Sequence, residues 1–197
     1  MNYKFPEIRT IDDVLPHIEG RSEFIVAERE FGTVINYMVS YTDTFDMTGS
    51  EDLSGAIRRE CRGLKFYPDG TIAARTFHKF FNMGEREETQ PHLIDFSRDH
   101  TIMTKLDGSM IHPMKVGSHI RWMSKMGITD VALQAEEFIS RNTKYFTFAS
   151  CCIDNSMTPI FEWCSRKQKI VIDYPEDSLT LLAVRDNITG EYKKVTL

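Results

Sequence analysis

Lys105 stands at the end of the apolar run Ile102-Met103-Thr104 and just before Asp107-Gly108-Ser109, where a strand would hand its side chain to a turn. That position suits a nucleophile. An amine attacks phosphorus only in its neutral form, and with an unperturbed pKa of ~10.4 only about one lysine in a few thousand is neutral at pH 7. Its surroundings must lower that pKa, by partial burial or by nearby cations. Gly108 allows close approach of the backbone to a ligand, and Ser109 with the local amides can donate hydrogen bonds to phosphate. Taken alone, the five-residue pattern also fits an ordinary exposed lysine in a solvated hairpin turn.

Other residues have types and neighbours that call for a partner. Strand alternation predicts Arg62 on the same side as Leu64 and Phe66, so its guanidinium would emerge from an apolar face and need an anion. A structural salt bridge would supply one, and a planar guanidinium suits it well. Lys79 lies between Phe77-His78 and Phe80-Phe81, an aromatic cluster that either packs as core or stacks on a base; His78 reads as structural. In Ile160-Phe161-Glu162-Trp163-Cys164 the carboxylate of Glu162 shares a face with Ile160 and Cys164, where it needs a cation or a donor. Lys125 reads as a solvated strand-edge lysine. Arg166, Lys167 and Lys169 make a small basic patch that suits either a nucleic-acid backbone or a solvated turn.

The elements that must position these residues are mostly strands. Glu23 to Arg29 and Thr33 to Tyr41 carry β-branched and aromatic residues about Gly32, which suits a turn. Cys61 to Phe66 and Thr71 to Phe77 flank Tyr67-Pro68-Asp69-Gly70, where proline and glycine suit successive turn positions. Ser109 to Val116 and His119 to Lys125 flank Gly117-Ser118, a two-residue hairpin connection. Pro159 to Cys164, Ile170 to Tyr174 and Leu179 to Arg185 read as further core strands before a turn at Asn187-Ile188-Thr189-Gly190. The spacing of Val131, Ala135, Phe138 and Ile139 predicts a helix over Thr129 to Arg141, with Glu136, Glu137 and Arg141 outside. Pro16 limits Ile11 to His17 to a short helical turn or loop. The pattern is α+β, rich in antiparallel hairpins. No βαβ alternation or phosphate-loop spacing is visible, which disfavours a dinucleotide-binding or Walker-type fold.

At 197 residues the chain is expected to form one domain, 1–197, and 41% hydrophobic with 27% charged residues is an ordinary globular composition. The net charge of -5 excludes binding nucleic acid by bulk charge alone, so any such contact must be local. Cys61, Cys151, Cys152 and Cys164 lack zinc-site spacing and read as free thiols of a reducing compartment. With no long uncharged apolar window and no signal-peptide core, a cytoplasmic, non-membrane protein is expected.

Six stretches in order carry a family resemblance. They are Glu60-Cys61-Arg62-Gly63, Lys79-Phe80-Phe81-Asn82, Thr104-Lys105-Leu106-Asp107-Gly108-Ser109, Ser124-Lys125-Met126-Gly127, Phe161-Glu162-Trp163, and the run from Val184 to Tyr192. From about residue 60 onward the chain resembles the adenylyltransferase domain of the bacteriophage RNA ligase 1 family, one of the covalent nucleotidyltransferases that include DNA ligases and mRNA capping enzymes. The first two stretches point to the RNA ligase branch.

The resemblance implies an antiparallel-sheet-rich nucleotidyltransferase domain, ATP-grasp-like, with a few packed helices. It implies that Lys105 accepts AMP from ATP, that Arg62 meets the triphosphate and Lys79 the phosphates, and that Phe81, Thr104, Gly108 and Lys125 belong to the nucleotide site. Glu162 would contact the ribose, a magnesium ion, or both. The implied cofactors are ATP and magnesium, and the implied partner is RNA, as broken tRNA or single-stranded ends, in the host cytoplasm if the protein is phage-encoded. Two later family motifs, a Glu-Gly strand and a pair of lysines, do not appear before Leu197. The expectation is a C-terminally incomplete domain that needs a missing segment or second chain, or else a fragment that binds nucleotide or RNA without catalysis. An mRNA-capping-type guanylyltransferase is the alternative within the same chemistry.

Overall fold

The computed structural model describes residues 4–194. Strands β1 (Phe24–Arg29), β2 (Gly32–Tyr37), β3 (Arg62–Phe66) and β4 (Ile72–Ala74) form a 4-stranded antiparallel sheet in that order. Strands β5 (Ser109–Val116), β6 (His119–Met123), β7 (Met157–Cys164), β8 (Ser178–Asp186) and β9 (Tyr192–Lys193) form a 5-stranded antiparallel sheet ordered β6-β5-β7-β8-β9. The turn residues act where predicted: Gly70 (φ 82°) closes the hairpin between β3 and β4, and Gly117 (φ 58°) that between β5 and β6.

Helices cover the outer faces. The short α1 (Leu15–Ile18) and α2 (Leu53–Glu60) pack Ile18 and Ile57 against Ile35, Leu64 and Phe66 of the first sheet. On the second sheet, α3 (Asp130–Ser140) and α4 (Thr143–Asp154) bury Ala132, Ala135, Ile139 and Ala149 against Ile111, Trp122, Phe161 and Trp163. Each large apolar side chain removed from water contributes roughly 1.5–3 kcal/mol, so these two cores dominate the favourable side of folding. The sheets meet through Val34, Ala73, Met114 and Met123.

A charged keystone also joins the sheets. Glu60, at the end of α2, accepts from Arg75 Nε at 3.0 Å and from Arg185 Nη2 at 2.8 Å, and all three side chains are fully buried. Burial pushes the carboxyl pKa up, but Arg185 and Arg75 outweigh it and hold Glu60 down at about 2. The spare guanidinium donors reach carbonyls of Pro6, Ile188, Thr76 and Gly190, so little of the buried charge is left unsatisfied.

Several sequence expectations are corrected. Ile170 to Tyr174 is not a strand; it is a largely exposed loop with no strand neighbour. Its amides at Val171 and Ile172 instead donate to the carboxylate of Asp107, both at 2.6 Å. The strands read as Thr33 to Tyr41 and Thr71 to Phe77 are shorter, ending at Tyr37 and Ala74. The helices α2 and α4 are additional. In α4 the composition favours strand, but Tyr145, Phe148, Ala149 and Cys152 recur at helical spacing and give one face to bury. Asp52 caps α2 by accepting from Gly55 N at 2.9 Å. Glu136, expected outside, packs on β6, where its carboxylate accepts from Trp122 N at 2.9 Å.

Candidate active site

A cleft of about 580 Å³ opens between the sheets, and Lys105 stands exposed on its wall with Thr104 and Gly108. Lys105 does not end a strand, as expected, but stands on an irregular exposed segment ahead of β5, and that segment is pinned from beside it. Asp107 N donates to the Tyr174 hydroxyl at 2.9 Å while its carboxylate holds the Val171 and Ile172 amides. Those two amides, Ile172 first, keep the Asp107 carboxyl below its ordinary pKa. Gly108 is required by the protein's own backbone, since a Cβ there would stand 2.3 Å from the Trp163 carbonyl oxygen.

Arg62 reaches the cleft by a route that simple alternation misses. The register of β2 against β3 slips between Ile35 and Asn36, leaving Gly63 as an extra residue at φ 82°. Arg62 therefore leaves the face of Leu64 and Phe66, which stay in the helix-covered core, and turns toward the second sheet. Its guanidinium lies over the Phe80 ring at 4.9 Å, and Nη1 is buried with no hydrogen-bond partner among the described residues. A desolvated donor left unpaired is costly and marks a place for an acceptor.

Glu162, on β7, is half-buried on the same cleft and accepts from Gly108 N at 3.1 Å. This backbone donor is the partner that its strand position demanded. Burial raises its pKa, opposed by the Gly108 amide and by the charges of Lys105 and Arg62. Among the described residues no group of three or more metal-ligating side chains forms a cation site. Glu162 therefore offers the one-carboxylate attachment with which magnesium bound mainly through substrate phosphates is compatible.

The remaining candidates are close by but do not line the cleft. Lys79 Nζ sits 3.9 Å from Glu85, donates to the Phe80 carbonyl at 3.1 Å and lies over the Phe81 ring at 4.5 Å. Phe81 packs against Phe45 and is surrounded by Arg59, Lys79 and Arg86, whereas its neighbour Phe80 faces the cleft. Lys125 Nζ lies 4.9 Å over the Tyr37 ring, its pKa lowered by burial and by Arg62. The basic patch is offset by acids, with Arg166 3.3 Å from Asp177 and Lys169 3.6 Å from Asp173.

Some cleft residues carry no sequence signal of their role. Tyr192 stacks on Phe77 with ring centroids 6.0 Å apart, and its hydroxyl meets His78 Nδ1 at 2.9 Å. Burial pushes the His78 pKa down to about 4, so the ring is neutral near pH 7. Tyr192 lies in the last matched stretch, yet only the pairing of β9 with β8 brings it beside Phe77.

The fold, with two antiparallel sheets and four helices, is consistent with an α+β ligase domain. A sequence model of the family described as RNA ligase matches residues 60–196. The chain is 32% identical over 185 residues to a protein named "Putative RNA ligase" from Thermovibrio ammonificans, covering 93% of this chain and 46% of that one. It is 25% identical over 195 residues to RNA ligase 1 of bacteriophage TS2126, covering 93% of this chain and 47% of that one. The chain belongs to the RNA ligase 1 family, and spans about half the length of these curated relatives. Among the described residues no helix is long and apolar enough to cross a membrane.

Proposed function

We propose that this chain is the nucleotidyltransferase part of an ATP-dependent RNA ligase that works through AMP bound covalently to Lys105. The observation that carries this reading is the convergence on one cleft of an exposed lysine, an arginine with an unpartnered buried donor, and a half-buried carboxylate. Lys105 Nζ attacks the α-phosphorus of ATP, forming the N–P bond as the bond to pyrophosphate breaks and the amine loses a proton. Arg62 receives the anionic phosphates, with Lys79 and Lys125 as nearby cations. Thr104 and Gly108 border the nucleotide. Glu162 holds the ribose or, together with the phosphates, a magnesium ion, which when bound neutralises charge on the leaving pyrophosphate.

AMP then passes to an RNA 5′-phosphate, and a 3′-hydroxyl attacks that phosphate, joining the strand and releasing AMP. Broken tRNA or single-stranded ends are the proposed substrates. Incubation with ATP and magnesium followed by intact mass measurement should show one AMP adduct, absent from Lys105→Ala. Wild type without adduct, or adduct in the alanine variant, rejects the reading. Adduct with GTP in place of ATP would favour capping-type chemistry. A second reading, binding without covalent transfer, draws on the absence of Lys79, Phe81 and Lys125 from the cleft lining; it predicts saturable ATP binding and no adduct.

A further inference from the structure

Lys65 lies outside the cleft and is fully buried between the sheets. It forms no ion pair among the described residues; its titratable neighbour is His112 of β5, also fully buried. Lys65 Nζ donates to the carbonyl oxygens of Gly63 at 3.1 Å, Ser124 at 3.0 Å and Lys125 at 3.2 Å. Burial pushes the Lys65 pKa down to about 7, so both forms are accessible near neutral pH, and the three converging carbonyls match the three donors of the ammonium.

These acceptors lie on the two segments that carry Arg62 and Lys125. The segments touch directly: a Cβ at Gly63 would stand 2.6 Å from the Lys125 oxygen. A buried charge without a counterion is a poor source of stability, and an apolar side chain of the same length would fill the space without that cost. The geometry therefore points to a task beyond packing.

We propose that Lys65 is a positioning residue whose three hydrogen bonds tie the Arg62–Gly63 bulge to the Ser124–Lys125 turn, fixing Arg62, which receives the phosphates, relative to the nearby cation Lys125. This rests on the ATP-dependent reading above, and the experiment separates the two. In Lys65→Met, amide hydrogen exchange over residues 124–127 should quicken about tenfold, and the ATP concentration for half-maximal adduct formation should rise about tenfold at a nearly unchanged saturated rate. Leu64→Ala, on the opposite face of the same strand, should lower the melting temperature without moving the ATP requirement. The proposal is overturned if Lys65→Met lacks either change, if it loses protection throughout both sheets, or if Leu64→Ala shifts the ATP requirement equally. If wild type forms no adduct, the proposed function fails, and exchange at residues 124–127 alone decides the clamp.

Discussion

Glu60→Gln tests the keystone between the sheets. The substitution keeps shape and an acceptor oxygen but leaves Arg75 and Arg185, both fully buried, without their shared negative charge. The fall of the Glu60 pKa from its ordinary 4.5 to about 2, at ~1.4 kcal/mol per pH unit, amounts to about 3 kcal/mol of stability. Breaking a buried pair by removing one partner costs about 3–5 kcal/mol, the same range. Urea unfolding is readily followed by tryptophan fluorescence, because Trp122 and Trp163 are only 1% and 3% exposed. At pH 7 the variant should lose about 3 kcal/mol, or about 6–12 °C in melting temperature for a chain of this size. Because the folded pKa is depressed, the contribution is fully present above pH 4.5 and is lost as pH falls through about 2. The curves of wild type and variant should converge in acid. A loss below about 1 kcal/mol at pH 7, or a gap that persists at the acid end, would refute the keystone.

Gly108→Ala should destabilise the chain by about 2 kcal/mol or more and abolish the AMP adduct, because the new methyl meets the Trp163 carbonyl; urea midpoints and intact mass measure both effects. Glu162→Gln should leave stability at pH 7 unchanged or slightly higher while weakening ATP binding in magnesium. Burial raises this carboxyl pKa, so folding favours its neutral form, and glutamine keeps an acceptor for the Gly108 amide. Titration calorimetry with chemical denaturation checks the opposite signs. Asp107→Ala should free the loop around Val171, read as faster proteolytic nicking between residues 165 and 177 with the core intact. Replacing His78 with phenylalanine should remove a loss of wild-type stability between pH 6.5 and about 4, the window set by its depressed pKa and distinct from that of Glu60.

The hairpins were legible in the sequence because their turns carry local chemistry: Gly70 and Gly117 adopt the positive φ that such turns require. The helix α3 was legible from its apolar spacing. The helix α4 was not, since its threonine, aromatic and cysteine residues favour strands and only contact with β7, β5 and α3 makes its face useful. Within the site, Lys105 and Glu162 both line the cleft, Glu162 from the strand its alternation suggested and Lys105 from an irregular segment rather than a strand end. Arg62 also reaches it, but by way of the Gly63 bulge, a register slip that a single strand cannot reveal. In Phe80-Phe81 the residue types are identical, and nothing local distinguishes the ring on the cleft from the ring beside Phe45. Lys65 was passed over because its meaning comes from carbonyls about sixty residues away, which are brought to it by the meeting of two sheets.

Tyr192 gives the cleft a history as well as a wall. During synthesis Lys105 and Arg62 leave the ribosome long before β9, yet Phe77 and His78, which also meet Phe80 and Phe5, gain the Tyr192 ring only when β9 has paired with β8. Lys105 and Arg62 are thus made before the wall that Tyr192 completes. A chain cut short of Tyr192 would keep Lys105, Arg62 and Glu162 while the cleft lost one of its walls.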